Sequence, residues 1–385
     1  MRSVLKFSAS AMVALAVVAG SATAQINNEL YGEFNAAFDS GDVEAKRSAA
    51  RSMAAAAFTD IDHPQAALIA YEAAWGFCRI EACSEGRDAA SFALGLPSGE
   101  EYPVRAEREM LSAYIDWNGD PKRSTRRALD DALEAAEPVS ASLVSVGIFS
   151  ARMQSDAEDL RWSRLKESAG GMARHLEPVK SVLPRIWVEA ALAEQVADFN
   201  HRQNRRVEIE LAHVQGKFAE ALIDADPAQI EALEPFRWRI EAWRAAVVAY
   251  FQSVPGSRRT PESEIDAVLA AYPDYPESSD AENIDAGEDD NRPFCKGDFD
   301  MSPKLRYPAR QARRGQFGSV FAKLTVESGQ VTDVEILASV PLEGFKERAK
   351  ETVLQWTWIA DDEQPDPDCR TSYSNLILPM VFSID

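Results

Sequence analysis

The chain is predicted to be α+β overall, with an all-α helical-hairpin array in front and a small antiparallel sheet with helices at its C-terminal end. Three observations carry this. From about Glu29 to Ala271, Ala, Glu, Arg and Leu dominate and β-branched runs are scarce, which favours helix. Residues 273–293 then turn to Pro, Ser and acids, with little to bury. Beyond them the apolar period changes from helical to alternating.

The helices can be placed one by one. Gly41-Asp42 separates a first pair, with Asp42 suited to cap the second. A third is expected after His63-Pro64, with Pro at its first position, carrying Ala67, Leu68, Tyr71, Ala74 and Trp75 at helical spacing. The next starts beyond Cys83 and stops near Leu96-Pro97. Asp120-Pro121 opens another, through Ala128, Leu129, Ala132 and Leu133. Longer helices follow at about 186–202, 205–223, 227–234 and 237–252. Short Gly-Asp and Pro turns between Ala-rich pairs loosely resemble tetratricopeptide repeats, although no 34-residue period is laid down. Arrays of this kind bury faces between neighbours and often present a partner surface. A plain helical packing domain is the alternative.

The first residues look like an export leader. Arg2 and Lys6 precede an apolar run from Phe7 to Ala19, and Ala22-Thr23-Ala24 suits a signal peptidase, giving a mature start near Gln25. The run is short against the roughly 20 residues of a spanning helix. An uncleaved inner-membrane anchor is the alternative; after cleavage, no stable membrane insertion is expected. The expected domains are therefore 1–24 signal peptide, 25–272 helical, 273–293 acidic linker and 294–385 terminal.

Export places the four cysteines where disulfides persist. Three connectivities exist, and pairing inside each domain is favoured: Cys78 with Cys83, and Cys295 with Cys369. Neither pair has Cys-x-x-Cys spacing or a neighbouring His, so zinc ligation is disfavoured.

In the terminal domain, Val320, Ala322, Leu324 and Val326 share one strand face, and Phe321, Lys323 and Thr325 the other. Ser328-Gly329 supplies a turn, and Val331 to Ala338 returns with Val334 and Ile336 as core candidates. A helix from about Glu343 to Trp356 aligns Phe345, Ala349, Val353 and Trp356. The last strand, about Asn375 to Ile384, aligns Leu376, Leu378, Met380, Phe382 and Ile384. The expected sheet has three strands.

These blocks, with Tyr307-Pro308, Arg310, Gly318, Trp356, Trp358, Pro379 and Phe382 in order, resemble the C-terminal domain of TonB over about Met301 to Asp385. The resemblance implies a periplasmic module that grips an extended segment of an outer-membrane transporter beside its last strand. The implied partner site is Asn375, Leu376, Ile377, Leu378, Met380, Val381 and Phe382, with Arg310, Arg313 and Arg314 adding positive charge. Tyr307, Trp356 and Trp358 read more simply as core anchors. Pro379 cannot donate to a ladder and suits an edge or a bulge. The chain departs from TonB in its leader without His, its helical array in place of a Pro-rich spacer, and its insertion Asp361 to Arg370.

Chemistry-bearing patterns are scarce. The net charge of −21 argues against nucleic acid or anionic lipid as a partner. The four histidines, His63, His175, His201 and His213, show no i, i+4 ligand pair. No phosphate loop or Gly-x-Ser-x-Gly elbow occurs. Asp130-Asp131 and Asp361-Asp362 are adjacent, so their side chains diverge. Packing explains Trp238 and Trp243 better than base stacking does. No cofactor, metal or enzymatic activity is expected. The expectation is a protein or peptide partner, such as a TonB-dependent receptor, bound by strand addition. The alternative is an adaptor whose helical array does the binding, and an energy transducer ranks third. Strand exchange through the C-terminal edge would also give homodimers.

Overall fold

The computed structural model describes residues 27–97, 103–139, 141–223, 225–254, 260–273, 295–313, 317–340, 344–360 and 369–382. The leader, nearly all of the acidic segment and Arg314 lie outside the described residues. The chain falls into two compact units: one comprises Asp156–Ala173 and Val179–Asp385, the other lies within Phe7–Ser155 and Arg174–Pro178.

The second of these units is helical. It contains α1 (Asn27–Asp39), α2 (Val43–Thr59), α3 (Ala66–Arg79), α4 (Arg87–Gly95), α5 (Arg105–Gly119), α6 (Arg123–Ala136) and most of α7 (Leu143–Glu158). Asp42 caps α2 as expected, its carboxylate accepting from the N–H of Glu44 at 2.9 Å and of Ala45 at 3.3 Å. Pro64 lies in the turn before α3 rather than at its first position; Ala66 N–H bonds to His63 O at 2.9 Å and opens the helix there. From α1 to α6 each helix packs on the next. Ala50, Ala57, Ala66, Ala70, Ala73 and Ala74 are all essentially inaccessible, so small side chains let neighbouring helices approach closely. A disulfide joins Cys78, in the last turn of α3, to Cys83 just beyond it.

The other unit combines helices with the sheet. After α8 (Trp162–Leu176), which runs from one unit into the other, come α9 (Pro184–Arg202), α10 (Val207–Ile223), α11 (Pro227–Ser253) and α12 (Glu262–Leu269). The expected pair of helices at 227–234 and 237–252 is a single one. Asp226 and Gln229 close a capping box at its start, and the helix runs on through Pro235. A proline inside a helix removes one backbone bond, and here the packed apolar face on both sides of it outweighs that loss.

The sheet holds five strands, not the expected three. In the order β1-β4-β3-β2-β5 they are β1 (Gly297–Asp300), β4 (Thr357–Ala360), β3 (Gln330–Val340), β2 (Gly318–Glu327) and β5 (Tyr373–Phe382), and every pairing is antiparallel. The two additional strands are four residues long, and β1 reads Gly-Asp-Phe-Asp, too short and polar to show an alternating signal. At the β2–β3 hairpin Ser328 (φ 49°) and Gly329 (φ 80°) both take left-handed conformations, the type I′ pattern of a two-residue turn. The helix after β3, α14 (Lys346–Val353), is shorter than its apolar stripe; Phe345 stands before it and Trp356 after it, and both are still buried against the sheet. A four-residue helix, α13 (Ala309–Ala312), precedes β2.

One face of the sheet carries the expected core. Val320, Ala322, Leu324 and Val326 are fully buried against Phe345, Ala349, Val353 and Trp356. Tyr307 lies edge-on to Phe345 and Phe382, with ring centroids at 5.5 and 6.0 Å. Trp356 Nε1 donates to Pro303 O at 2.8 Å and Trp358 Nε1 to Cys295 O at 3.2 Å, so all three aromatic residues are held within the fold. A disulfide joins Cys295 to Cys369, and Cys295 N–H bonds to Arg370 O at 2.9 Å, tying the lead into β1 to the lead into β5.

Candidate partner-binding site

The residues singled out for partner binding come together on β5, at the edge of the sheet. Among the described residues β5 pairs with β2 alone, from Gly318↔Phe382 to Val326↔Tyr373. From Leu376 to Phe382 its other rim therefore has backbone groups without a strand partner, the condition that strand addition needs.

Side chains alternate as the pleat requires. Leu376, Leu378, Met380 and Phe382 face the main core, with Met380 and Phe382 buried and the two leucines partly so. Ile377 packs on the opposite face, Pro379 is exposed, and Val381 is 47% exposed. The pairing shifts between Leu324 and Val326, because Ser374 and Asn375 insert one extra residue; Asn375 has φ 66°. That is a bulge, and it separates Tyr373 from the regular run beginning at Leu376.

The three arginines are placed unequally. Arg310 belongs to α13, Arg313 follows it and is exposed, and Arg314 lies outside the described residues. The Gly318↔Phe382 pair brings the chain that follows them to the C-terminal end of β5. At the other end of β5, Arg370 stacks over Tyr373 at 5.5 Å from the ring centroid. Burial raises the Tyr307 hydroxyl above its ordinary range, so it stays a neutral phenol behind β5.

Residues 303–372 match the Gram-negative bacterial TonB protein C-terminal family. The match spans β2, β3, α14 and β4 and stops just short of β5, so the TonB-like module supplies the framework on which the open strand is built. No curated protein and no solved structure matches the chain.

Other chemistry-bearing groups lie away from this edge. Ser145 Oγ is 2.7 Å from His175 Nε2, and His175 Nδ1 is 3.1 Å from Glu137 O. Both side chains are buried, and Ser145 also exchanges bonds with Ser142, each accepting the other's backbone N–H at 2.9 and 3.1 Å. The set forms a helix-start cap at α7 that encloses an imidazole, and burial holds that imidazole below its ordinary pKa. Glu72 of α3 and Glu107 of α5 are pushed up to about 7, chiefly by burial. Arg79 draws Glu72 partly back; Ser142 and the Val104 backbone do the same for Glu107, while Glu72 raises Glu107 further. Neither oxygen of Glu107 finds a partner at normal hydrogen-bond geometry. No sequence pattern marks these pairs, because their members lie on different helices.

Among the described residues no helix is long and apolar enough to cross a membrane.

Proposed function

We propose that this is an exported, periplasmic binding protein whose TonB-like module takes up an extended protein segment along β5 by strand addition, in the service of outer-membrane transport. The observation that carries the reading is the unpaired rim of β5 beside a module that matches the TonB C-terminal family. The reading is one of binding, not catalysis.

The proline sets the register of the added strand. On an edge strand a proline sits where its missing donor faces away from the sheet. Backbone groups alternate sides along a strand, so Ile377 and Val381 present their N–H groups outward together with the Pro379 position, and Leu376, Leu378, Met380 and Phe382 bond inward to β2. An incoming segment takes its main-chain bonds from Ile377 and Val381 and donates to the carbonyl of Pro379. Exposed Arg313, five residues before the Gly318 that pairs with Phe382, favours an acidic side chain toward that end of the ligand.

Calorimetric titration of the full chain with peptides from the N-termini of TonB-dependent receptors tests this. Saturable binding that Val381→Pro weakens is the expected result. A folded protein that binds none of them at millimolar peptide defeats the reading and leaves the adaptor role of the helical array.

A further inference from the structure

The second face of the sheet is not open to solvent. Phe321, Ala338 and Val340 are buried there against Ala242 and Ala246 of α11, both of which are fully inaccessible. Trp238 lies over Phe321 with ring centroids 6.1 Å apart. Ser319, itself fully buried, donates from Oγ to Ala242 O at 2.6 Å, across 77 residues of sequence. Phe317, at the entrance to β2, stands edge-on to Phe199 of α9 at 5.5 Å and lies 4.8 Å from Tyr250 of α11.

The chain is also pinned on either side of its acidic segment. Tyr272 lies over Gly216 of α10 so closely that an added Cβ would fall 2.2 Å from its ring, and its hydroxyl is 3.1 Å from His213 Nδ1. On the far side of the segment, Cys295 is bonded to Cys369. Each disulfide lies wholly on one side of the segment, so no other covalent link joins the two parts.

We propose that α11 is a docking platform for the back of the terminal sheet, and that it holds the module by non-covalent contact alone, without help from the residues between Tyr272 and Cys295. The contact is apolar, with one buried hydroxyl–carbonyl bond that fixes its register; a seam of this composition resists salt, unlike an ion-paired one. The composition of residues 273–293 reads as a tether that lets the module range freely, whereas the packing makes the module a fixed part. This inference stands apart from the strand-addition reading, since β5 could accept a peptide from a mobile module or from a fixed one.

The test uses the full chain with a protease site introduced between Pro276 and Glu288. After cleavage, the two fragments should elute together from a sizing column at micromolar concentration and high salt, at the mass of one chain, and separate only in denaturant. Fragments that part on cleavage overturn the proposal, and so does a dimeric mass before cleavage, which would place the contact between chains. Phe321→Asp puts a carboxylate into the seam while leaving the opposite core of the sheet intact; cleaved F321D should release a terminal fragment that keeps its far-ultraviolet spectrum. Ala246→Asp makes the same test from the platform side. If both cleaved variants stay together as the unsubstituted protein does, α11 is not the platform.

Discussion

Replacing Glu107 with Gln should make the protein less sensitive to rising pH, and the size of the effect follows from burial. Glu107 is 1% exposed, and burial holds its carboxyl at about 7 against an ordinary 4.5. In the unfolded chain the acid ionises near 4.5; in the folded chain it keeps its proton until about 7. Raising the pH between those values therefore favours the unfolded state, and above the higher value the penalty is constant. A shift of this size corresponds to about 3 kcal/mol in full. Because the sequence pI is about 4.7, the comparison is best made clear of it, between about pH 5.5 and about pH 8; over that interval the wild-type penalty grows by about 2 kcal/mol. The amide of Gln brings a desolvation cost of its own, but that cost does not depend on pH and cancels in the comparison. Urea unfolding followed by far-ultraviolet circular dichroism measures it. The difference between E107Q and wild type should move in favour of the variant by about 2 kcal/mol from the lower pH to the higher. An unchanged difference, or one that moves the other way, would show that the carboxylate is adequately solvated or bonded when ionised and that burial does not hold its proton.

Three further outcomes follow from the terminal module. Val381→Pro should weaken peptide binding about tenfold by removing an outward donor, with the melting temperature unchanged, whereas Leu378→Pro should lower the melting temperature by breaking a bond to β2; calorimetry and thermal melts on both variants separate the two. Replacing Cys295 and Cys369 with Ser should destabilise the protein by about 4 kcal/mol in urea, because the bond spans a sequence separation of 74, against about 2 kcal/mol for Cys78 and Cys83 at a separation of 5. Phe345→Ala removes a fully buried ring that lies 4.5 Å from Phe382, and should cost about 3–5 kcal/mol by the same measurement.

The parts of the fold that were legible in the sequence are those governed by local pattern. Alternation from Val320 to Val326 marked a strand with one buried face, and all four of its apolar positions are buried. Ser328-Gly329 marked the turn, and Asp42 marked a helix start. Pro379 pointed to an edge, and β5 is one. Where distant residues decide, the pattern says nothing. Phe321 reads as belonging to the wet side of β2, and it is buried because α11, some eighty residues earlier, lies over that side. β1 has no apolar alternation; its pairing with β4 is set by the backbone partner and by the disulfide beside it. Ser145 and His175, like Glu72 and Glu107, meet only through tertiary packing, so no spacing rule brings them together.

The interruption of β5 also bears on how copies of the chain would meet one another. A long, flat, apolar rim invites identical chains to stack edge to edge into fibrils. Here the extra residue at Ser374-Asn375 twists one end of the rim away, and Pro379 withholds a donor near the other. Two copies laid against each other would forfeit a bond on each side, while a short foreign segment forfeits only one. The bulge and the proline that would weaken the rim as a template for a guest strand weaken it equally as a template for a second copy of itself.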